Sequence, residues 1–313
     1  MANEIYLSPS PHFKEGFSTP LLMGAVIFAL LPETIFGIIT FGLSAFIVVL
    51  TSVVGAVFFE ALFQKLAKQK ITINNLSAVV TGLLLALVLP PTVPFWQVLL
   101  GDAFAIIVAK ALFGGLGANV WNPALTGRAF LFVSFATVMG ASWLNPGTDV
   151  ISSATILSKI KAGEVVGNAE IYLQNFFGKT TGSIGETSEL LILISFAFLA
   201  LTHVIDWRAP FTFVGSVALL TFATGGDVLL ALTSGGLLFG ATFMVTDYTT
   251  VPVTKPGRLV FGLGCGVLTF LIRKFSGYPE GVMFSILFMN SLTAFLNKLT
   301  PRKYGYGKAE AKK

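Results

Sequence analysis

The sequence is poor in cysteine and in charge. Among its 313 residues only Cys265 is a cysteine, so this chain alone can form neither an internal disulfide nor a cysteine-ligated iron–sulfur cluster. Charged residues make up 11% of the chain, which is about half the share found in soluble domains. Hydrophobic residues make up 54%, more apolar surface than a soluble core of this size can bury. Lipid is therefore the expected solvent for most of the chain.

The net charge of +5 does not indicate nucleic-acid binding, because basic residues of a membrane protein concentrate in its cytoplasmic loops. For a multi-pass protein of the cell (inner) membrane, their distribution predicts that both termini lie in the cytoplasm. It places the long polar loop 145–189 outside and counts Arg128 among the inner loops. Glu60 is interpreted as a carboxylate at the inner membrane boundary, near Lys65.

The predicted fold is all-α and polytopic, with about ten transmembrane helices. A bilayer core about 30 Å thick needs roughly 20 helical residues, and ten apolar segments can be placed. They are Pro20–Leu31, Ile38–Phe63, Leu76–Leu89, Trp96–Phe113, Leu125–Leu144, Leu190–Ile205, Phe211–Thr224, Val228–Val245, Leu259–Ile272 and Val282–Leu296. Several are too short to span alone, which is typical of helices that line a cavity inside a bundle.

The two halves of the chain show a weak internal similarity. Leu76–Leu89 and Val228–Val245, third in their respective halves, lead to Thr92-Val93-Pro94 and Thr250-Val251-Pro252. Five segments per half would give the halves opposite orientations, which is the pattern of an inverted repeat with two short or broken helices. Chance similarity between apolar sequences explains the observation equally well. The predicted organisation is an N-terminal cytoplasmic segment (1–19), two five-helix repeats (20–144 and 190–297), the intervening outer loop (145–189) and a basic cytoplasmic tail (298–313).

The long polar loop contains the sequence Asp149-Val150-Ile151-Ser152-Ser153-Ala154-Thr155. Taken alone, Ser-Ser-Ala-Thr is common in loops, and Ser152 or Ser153 can cap a helix that runs from Ala154 to Lys161. On residue types alone, this capping interpretation is the simpler one.

A second motif is the glycine-rich stretch Gly114–Ala124, which contains Asn119 and Asn122. Glycines let the backbone approach a ligand closely, and two carboxamides can pair with the mixed donor and acceptor edge of a flat heterocycle. The alternative is a helix cap in which Asn122 and Pro123 form a turn.

One isolated carboxylate stands out within an apolar segment. Asp102 lies inside Trp96–Phe113, and an intramembrane carboxylate is costly enough to be a functional candidate. Asp102 is therefore a candidate for an ion pathway. A carboxylate near the membrane boundary, satisfied by water or a helix end, is the competing interpretation.

Five motifs in order carry a resemblance to a known family. They are Ser8-Pro9-Ser10-Pro11-His12, Gly114–Ala124, the Ser-Ser-Ala-Thr stretch, Thr246-Asp247-Tyr248-Thr249-Thr250 and Gly277-Tyr278-Pro279-Glu280-Gly281. Together they resemble the NqrB/RnfD family, and within it the flavin-carrying RnfD subunits of Rnf complexes. The resemblance runs from Ser8 to about Asn297.

The resemblance implies two flavin sites, one on the outer side of the membrane and one within the helices. Asp149, Ser152, Ser153 and Thr155 match the attachment motif at which a flavin transferase esterifies FMN phosphate to threonine, although Ser153 stands where the strict motif has glycine. It implies covalent FMN at Thr155. It also implies a second, non-covalent flavin, riboflavin or FMN, for which Asn119 and Asn122 are the candidate ligands.

The implied function is electron transfer in an ion-translocating ferredoxin:NAD oxidoreductase. The chain would be one subunit of this translocase, with the bilayer, the flavin transferase and the other Rnf subunits as partners. No catalytic residue and no metal ligand is predicted, and the ferredoxin and NAD sites would belong to other subunits. An inverted-repeat solute channel or carrier without a redox role is the alternative.

Overall fold

Helices make up most of the protein. The structure, a computed structural model, describes residues 18–141, 143–147, 151–152, 155–162, 167–278 and 280–300. Its helices are α1 (Thr19–Leu66), α2 (Ser77–Leu87), α3 (Phe95–Ala103), α4 (Pro123–Ser134), α5 (Ala136–Ala141), α6 (Ile156–Lys161), α7 (Ala169–Phe177), α8 (Glu189–Leu201), α9 (Arg208–Ala223), α10 (Val228–Thr233), α11 (Leu237–Phe239), α12 (Lys255–Phe275) and α13 (Val282–Leu299). A 3₁₀ turn covers Ile73–Asn75, and π-helical segments, Phe104–Ala111 and Gly240–Met244, extend α3 and α11.

The first helix is two helices joined at Gly42. Its 48 residues would measure about 72 Å in a straight helix, far more than one bilayer crossing. Gly42 has φ 71° and ψ −149°, a conformation that a residue with a Cβ rarely adopts. The expected break between Leu31 and Ile38 is wrong, since the helix continues through Pro32 and breaks ten residues later. Each part, on either side of Gly42, is long enough for one crossing.

Helical structure occurs in each of the ten apolar segments. Among the described residues, α1 and α13 are long and apolar enough to cross a membrane by themselves. The apolar helices α2, α8 and α9 are shorter. The fifth apolar segment is divided at Phe135 into α4 and α5, which the sequence did not indicate.

The third segment of each half is short or interrupted, as expected. Helix α2 has only 11 residues and ends beside Val88. In the second half, α10 and α11 are separated at Ser234-Gly235-Gly236, where Gly235 has φ 71°. The backbone amides of Ile184 and Gly185 donate to the carbonyls of Leu89 and Leu87, so a loop from the middle of the chain satisfies the end of α2.

The segment predicted as a long polar loop contains regular secondary structure, namely α6, α7 and the strand Ile151–Ser152 (β2). This strand pairs antiparallel with Trp143–Leu144 (β1), just before the segment. The amide of Gly147 donates to the carbonyl of Thr40, next to the break in α1. Asn175 of α7 donates to Thr233 and Ser234, at the end of α10. We call this side of the molecule, which holds α6, α7 and the end of α10, the cavity end, after the cavity described below.

The opposite end is closed by hydrogen bonds between distant parts of the chain. Asn119 donates to Thr249, Trp121 donates to Ser291, and Asn290 Oδ1 accepts from the amide of Asn122. These contacts join residues that are 130 to 170 positions apart. The two halves of the chain therefore form one structure with a common apolar core.

Candidate functional site

A cavity of about 810 Å³ opens at the cavity end. This volume lies in the upper part of the range, roughly 300–1,000 Å³, that is usual for cofactor and small-molecule sites. Its walls come from α4, α5, α6, the loop before α8, the α10–α11 break and the loop before α13. We call it the large cavity.

Thr155 lies on the wall of the large cavity. It is the N-cap of α6, and its Oγ1 accepts a hydrogen bond from the amide of Ser158 at 3.3 Å. Ser152 lies in β2, where it pairs with Trp143 through the backbone. Asp149 and Ser153 lie outside the described residues, so their predicted roles remain predictions.

Aromatic rings form part of the same wall. Phe132, Tyr278 and Phe284 contact one another, with ring centroids 5.6 to 5.9 Å apart. All three line the large cavity. Aromatic faces of this kind provide an apolar surface on which a flat ring system can stack.

A buried guanidinium lies between two carboxylates on another wall of the large cavity. Arg128 Nη1 is 3.4 Å from Glu186 Oε1, and Arg128 Nη2 is 3.2 Å from Glu280 Oε2. The side chains of Arg128 and Glu186 are only 12% and 7% exposed. The backbone amide of Gly236, at the α10–α11 break, donates to Glu280 Oε1 at 2.7 Å. The ion pairs thus join α4, two loops and the broken helix.

The assignment of Arg128 to an inner loop is wrong. Arg128 lies within α4, and its partners Glu186 and Glu280 both belong to loops of the cavity end. The sequence carries one signal of this pairing, because a single arginine inside an apolar segment is expensive and requires a partner. Glu280 was part of a family motif, but nothing in its spacing indicated that it meets Arg128.

Asn119 and Asn122 lie together at the opposite end, beside a much smaller cavity. Asn119 Nδ2 donates to Thr249 Oγ1 at 2.7 Å and to the carbonyl of Trp121. Asn122 Oδ1 accepts a hydrogen bond from the amide of Leu125 and thereby caps α4. This is the helix cap predicted as the alternative for the motif. The small cavity measures about 80 Å³, which is room for a few water molecules.

Lys110, which lines the small cavity, forms a buried ion pair with Glu60. Lys110 Nζ is 3.0 Å from Glu60 Oε2 and donates to Ser77 Oγ at 2.7 Å. Lys110 is 2% exposed and Glu60 is 4% exposed. The interpretation of Glu60 as a boundary carboxylate near Lys65 is therefore wrong. Its partner comes from a π-helical segment 50 residues away, a proximity that the sequence does not reveal.

Asp102 is completely buried among α1, α2 and α3. Its Oδ1 accepts a hydrogen bond from Ser52 Oγ at 2.8 Å, and Ser52 also donates to the carbonyl of Gly82. Oδ2 has no hydrogen-bond partner among the described residues. Asp102 therefore faces the bundle interior, although it lines neither of the two cavities.

These features define a class of protein: an α-helical protein of membrane type with a charged, aromatic-lined cavity at one end. The chain belongs to the NQR2, RnfD, RnfE family, whose family model matches residues 6–305. The predicted resemblance is thereby confirmed.

The chain is similar along its whole length to D subunits of ion-translocating oxidoreductase complexes. It is 42% identical to the D subunit of the Na⁺-translocating ferredoxin:NAD⁺ oxidoreductase complex of Acetobacterium woodii, covering 99% of this chain and 98% of that protein. It is 40% identical to the D subunit of the proton-translocating ferredoxin:NAD⁺ oxidoreductase complex of Clostridium ljungdahlii, covering 97% of both chains. The D subunit of the ion-translocating oxidoreductase complex of Methanosarcina acetivorans is 34% identical, with 96% of both chains covered.

Proposed function

We propose that this chain is the D subunit of an ion-translocating ferredoxin:NAD oxidoreductase complex and carries covalent FMN at Thr155. The observation that carries this proposal is the position of the Thr155 hydroxyl on the wall of a cavity of about 810 Å³. The relatives supply the context, since the first two D subunits described above each match at least 97% of this chain. The other subunits of the complex are the proposed partners.

The residues of the large cavity fit an FMN group. Thr155 supplies the oxygen for a phosphoester, and Phe132, Tyr278 and Phe284 supply apolar surface for the ring. Bound there, FMN would supply one-electron and two-electron redox chemistry through an unmodified ring. Thr155 keeps its acceptor role toward the Ser158 amide when it is esterified, because an ester oxygen retains a lone pair.

Attachment requires a separate enzyme in this proposal. A threonine hydroxyl is a weak nucleophile at neutral pH and needs an activating group. We therefore include a flavin transferase among the maturation partners. Its access is favoured by the position of Thr155 at the start of a short helix beside an open cavity.

The covalent flavin can be tested on a denaturing gel. The chain from cells that contain the transferase should fluoresce under ultraviolet light, and peptide mapping should place one FMN-sized adduct on Thr155. Thr155→Val should abolish the band. Thr181→Val, which removes another hydroxyl from the same cavity, and Ser153→Ala should both retain it. A fluorescent Thr155→Val chain would refute the attachment site, and a chain without flavin would favour the solute-channel alternative.

The fold proposal is an inverted repeat of five and five helices with ten membrane crossings. It is supported by the division of α1 at Gly42, by the short α2 and by the interrupted α10–α11 pair. We place the cavity end outside and both termini in the cytoplasm. Support comes from Lys65, Lys255 and Lys298, which lie toward the opposite end of the molecule.

A second flavin at Asn119 and Asn122 has a weaker structural basis. Both carboxamides are used within the chain, and a cavity of about 80 Å³ does not fit a flavin ring. Binding there would require the small cavity to widen. Replacing both residues by Leu should remove extractable flavin from the purified complex and leave the covalent flavin. Unchanged extractable flavin would refute the site.

Asp102 is proposed to take part in ion coupling. The carboxylate is fully buried and has only Ser52 as a hydrogen-bond donor among the described residues. Asp102→Asn keeps the shape and a polar contact to Ser52 but removes the charge. It should slow ion transport in vesicles more than flavin reduction. Equal, normal rates of both processes would leave Asp102 with a structural role.

A further inference from the structure

The two carboxylates that flank Arg128 are held unusually close to each other. A Cβ atom at Gly236 would lie 2.3 Å from Glu186 Oε1 and 2.8 Å from Glu280 Oε1. Both oxygens therefore crowd the same glycine, and they lie within about 5 Å of one another. At this separation two carboxylates in a buried site do not both remain ionised unless enough positive charge accompanies them.

The positive charge around this pair is insufficient. Arg128 contacts both carboxylates, and Arg273 of α12 is a second guanidinium that acts electrostatically on Glu186. Arg273 donates its hydrogen bonds to the carbonyls of Ala231 and Ser234 rather than to a carboxylate. Glu189 adds a third buried carboxyl next to Glu186, and its Oε2 has no hydrogen-bond partner among the described residues. Among the described residues Arg128 is thus the guanidinium that contacts the Glu186 and Glu280 carboxylates directly, so two carboxylates share one positive partner.

A proton on one of these two carboxyl groups would remove the unmatched negative charge, and their contacts favour Glu186 over Glu280. Glu280 accepts hydrogen bonds from two donors, the Arg128 guanidinium and the Gly236 amide at 2.7 Å. Glu186 has the longer contact with Arg128 and the more buried side chain. Burial, and then the Glu280 carboxylate, raise the pKa of Glu186 to about 7, although Arg128 acts in the opposite direction.

Glu186 lies where a proton on its carboxyl group can reach the large cavity. The residue lies on the wall of the large cavity together with Thr155 and Arg128. Ser183, in the same loop, also lines the cavity. Glu189 does not line it. A titrating carboxyl is thus placed between the buried charge cluster and the space that the proposed FMN would occupy.

We propose that Glu186 is the proton donor to the redox group bound in the large cavity. Glu186 holds the proton on the carboxyl oxygen other than Oε1, since Oε1 faces Arg128. With FMN held beside Thr155, Glu186 would supply one proton for each electron that the ring accepts, its O–H bond breaking and its carboxylate remaining beside Arg128. Water in the open cavity then returns a proton to the carboxylate. This inference rests on the proposed flavin site.

The first test measures reduction of the covalent flavin by stopped flow in the complete complex. The wild-type rate should fall as the pH rises through about 7, because Glu186 then loses its proton. Glu186→Gln should slow the reduction by about tenfold or more and abolish this pH dependence. Imidazole, a small proton donor that can enter the cavity, should restore the rate of Glu186→Gln and leave the wild type unchanged.

Glu280→Gln is the matched control, because it removes an equal charge from the same Arg128. It should retain the pH dependence and shift it to lower pH, since the neighbouring carboxylate no longer opposes ionisation of Glu186. A pH dependence that survives in Glu186→Gln, or is lost equally in Glu280→Gln, would overturn the proposal. So would a slow Glu186→Gln complex that imidazole does not rescue.

The second test does not require the flavin. In a Thr155→Val background, difference infrared spectroscopy should show a protonated carboxyl band that titrates near pH 7 and is missing after Glu186→Gln. If the gel shows no flavin at Thr155, the proposed function fails, and this titration still decides whether Glu186 holds a proton. If Glu186→Gln does not assemble, Glu186→Asp must shift the band and the rate profile, and unshifted values would refute the assignment.

Discussion

Gly236 determines how closely Glu186 and Glu280 approach each other. Any side chain at this position would collide with both carboxylates. We expect Gly236→Ala to lower the free energy of unfolding by about 1–3 kcal/mol, as overpacking of a buried site does. Gly215→Ala is the control, because nothing lies within 4 Å of a Cβ at that exposed helical position. Thermal unfolding in detergent would measure both, and a Gly236→Ala protein as stable as the control would contradict the crowding.

Glu186 should also contribute to the pH dependence of the free energy of unfolding. The folded protein holds a proton on Glu186 up to a pKa of about 7, whereas the unfolded chain releases it near 4.5. Between these values the native state binds more protons, so stability decreases as the pH rises, and the loss is complete above about pH 7. Relative to Glu186→Gln, the free energy of unfolding of the wild type should fall by about 3 kcal/mol at most over this pH range.

Melting temperatures of the wild type and Glu186→Gln at several pH values would check this expectation. The difference between the two proteins should change between pH 5 and 7 and stay constant between pH 7 and 9. A difference that does not depend on pH would show that Glu186 titrates in its normal range in the folded protein.

At the level of elements, a comparison of Gly42 with Gly24 distinguishes backbone strain from steric crowding by neighbouring atoms. Both lie in α1, and a Cβ at either position would have no atom within 4 Å. Only Gly42 has a positive φ, where a residue with a Cβ is strained by about 1–3 kcal/mol. Gly42→Ala should therefore lower the melting temperature, while Gly24→Ala should leave it unchanged or raise it slightly. Equal effects would mean that the break in α1 does not depend on Gly42.

Helix positions could be predicted because lipid leaves few alternatives to an apolar helix. The breaks were harder to predict. The predicted boundary between Leu31 and Ile38 contains Pro32, but a proline inside a membrane helix is tolerated where neighbouring groups compensate for its missing N–H. Phe135 and Gly42 carry no comparable local signal. The same limit applies to the site, because Thr155 belongs to a linear motif whereas Arg128, Glu186 and Glu280 are brought together only by the fold.

At the level of the whole molecule, orientation can be tested by labelling single cysteines. In a Cys265→Ala background, Lys179→Cys lies at the cavity end on an exposed residue, and Gly307→Cys lies in the basic tail. An impermeant thiol reagent should label position 179 but not position 307 in intact cells, because we place the cavity end outside. Labelling at 307 alone would reverse the proposed topology. Permeabilised cells, in which both positions should react, provide the control.

The hydrogen bonds that close the opposite end have a consequence for biogenesis. Trp121 bonds to Ser291, a residue that is synthesised 170 positions later. At about 5–20 residues per second, the ribosome needs roughly 10–30 s to supply this partner. During that time the 114–122 stretch of the newly made first half lacks its partners Thr249, Asn290 and Ser291. Quality-control proteases and insertion chaperones should therefore engage nascent chains truncated before α13, and ignore those released after it.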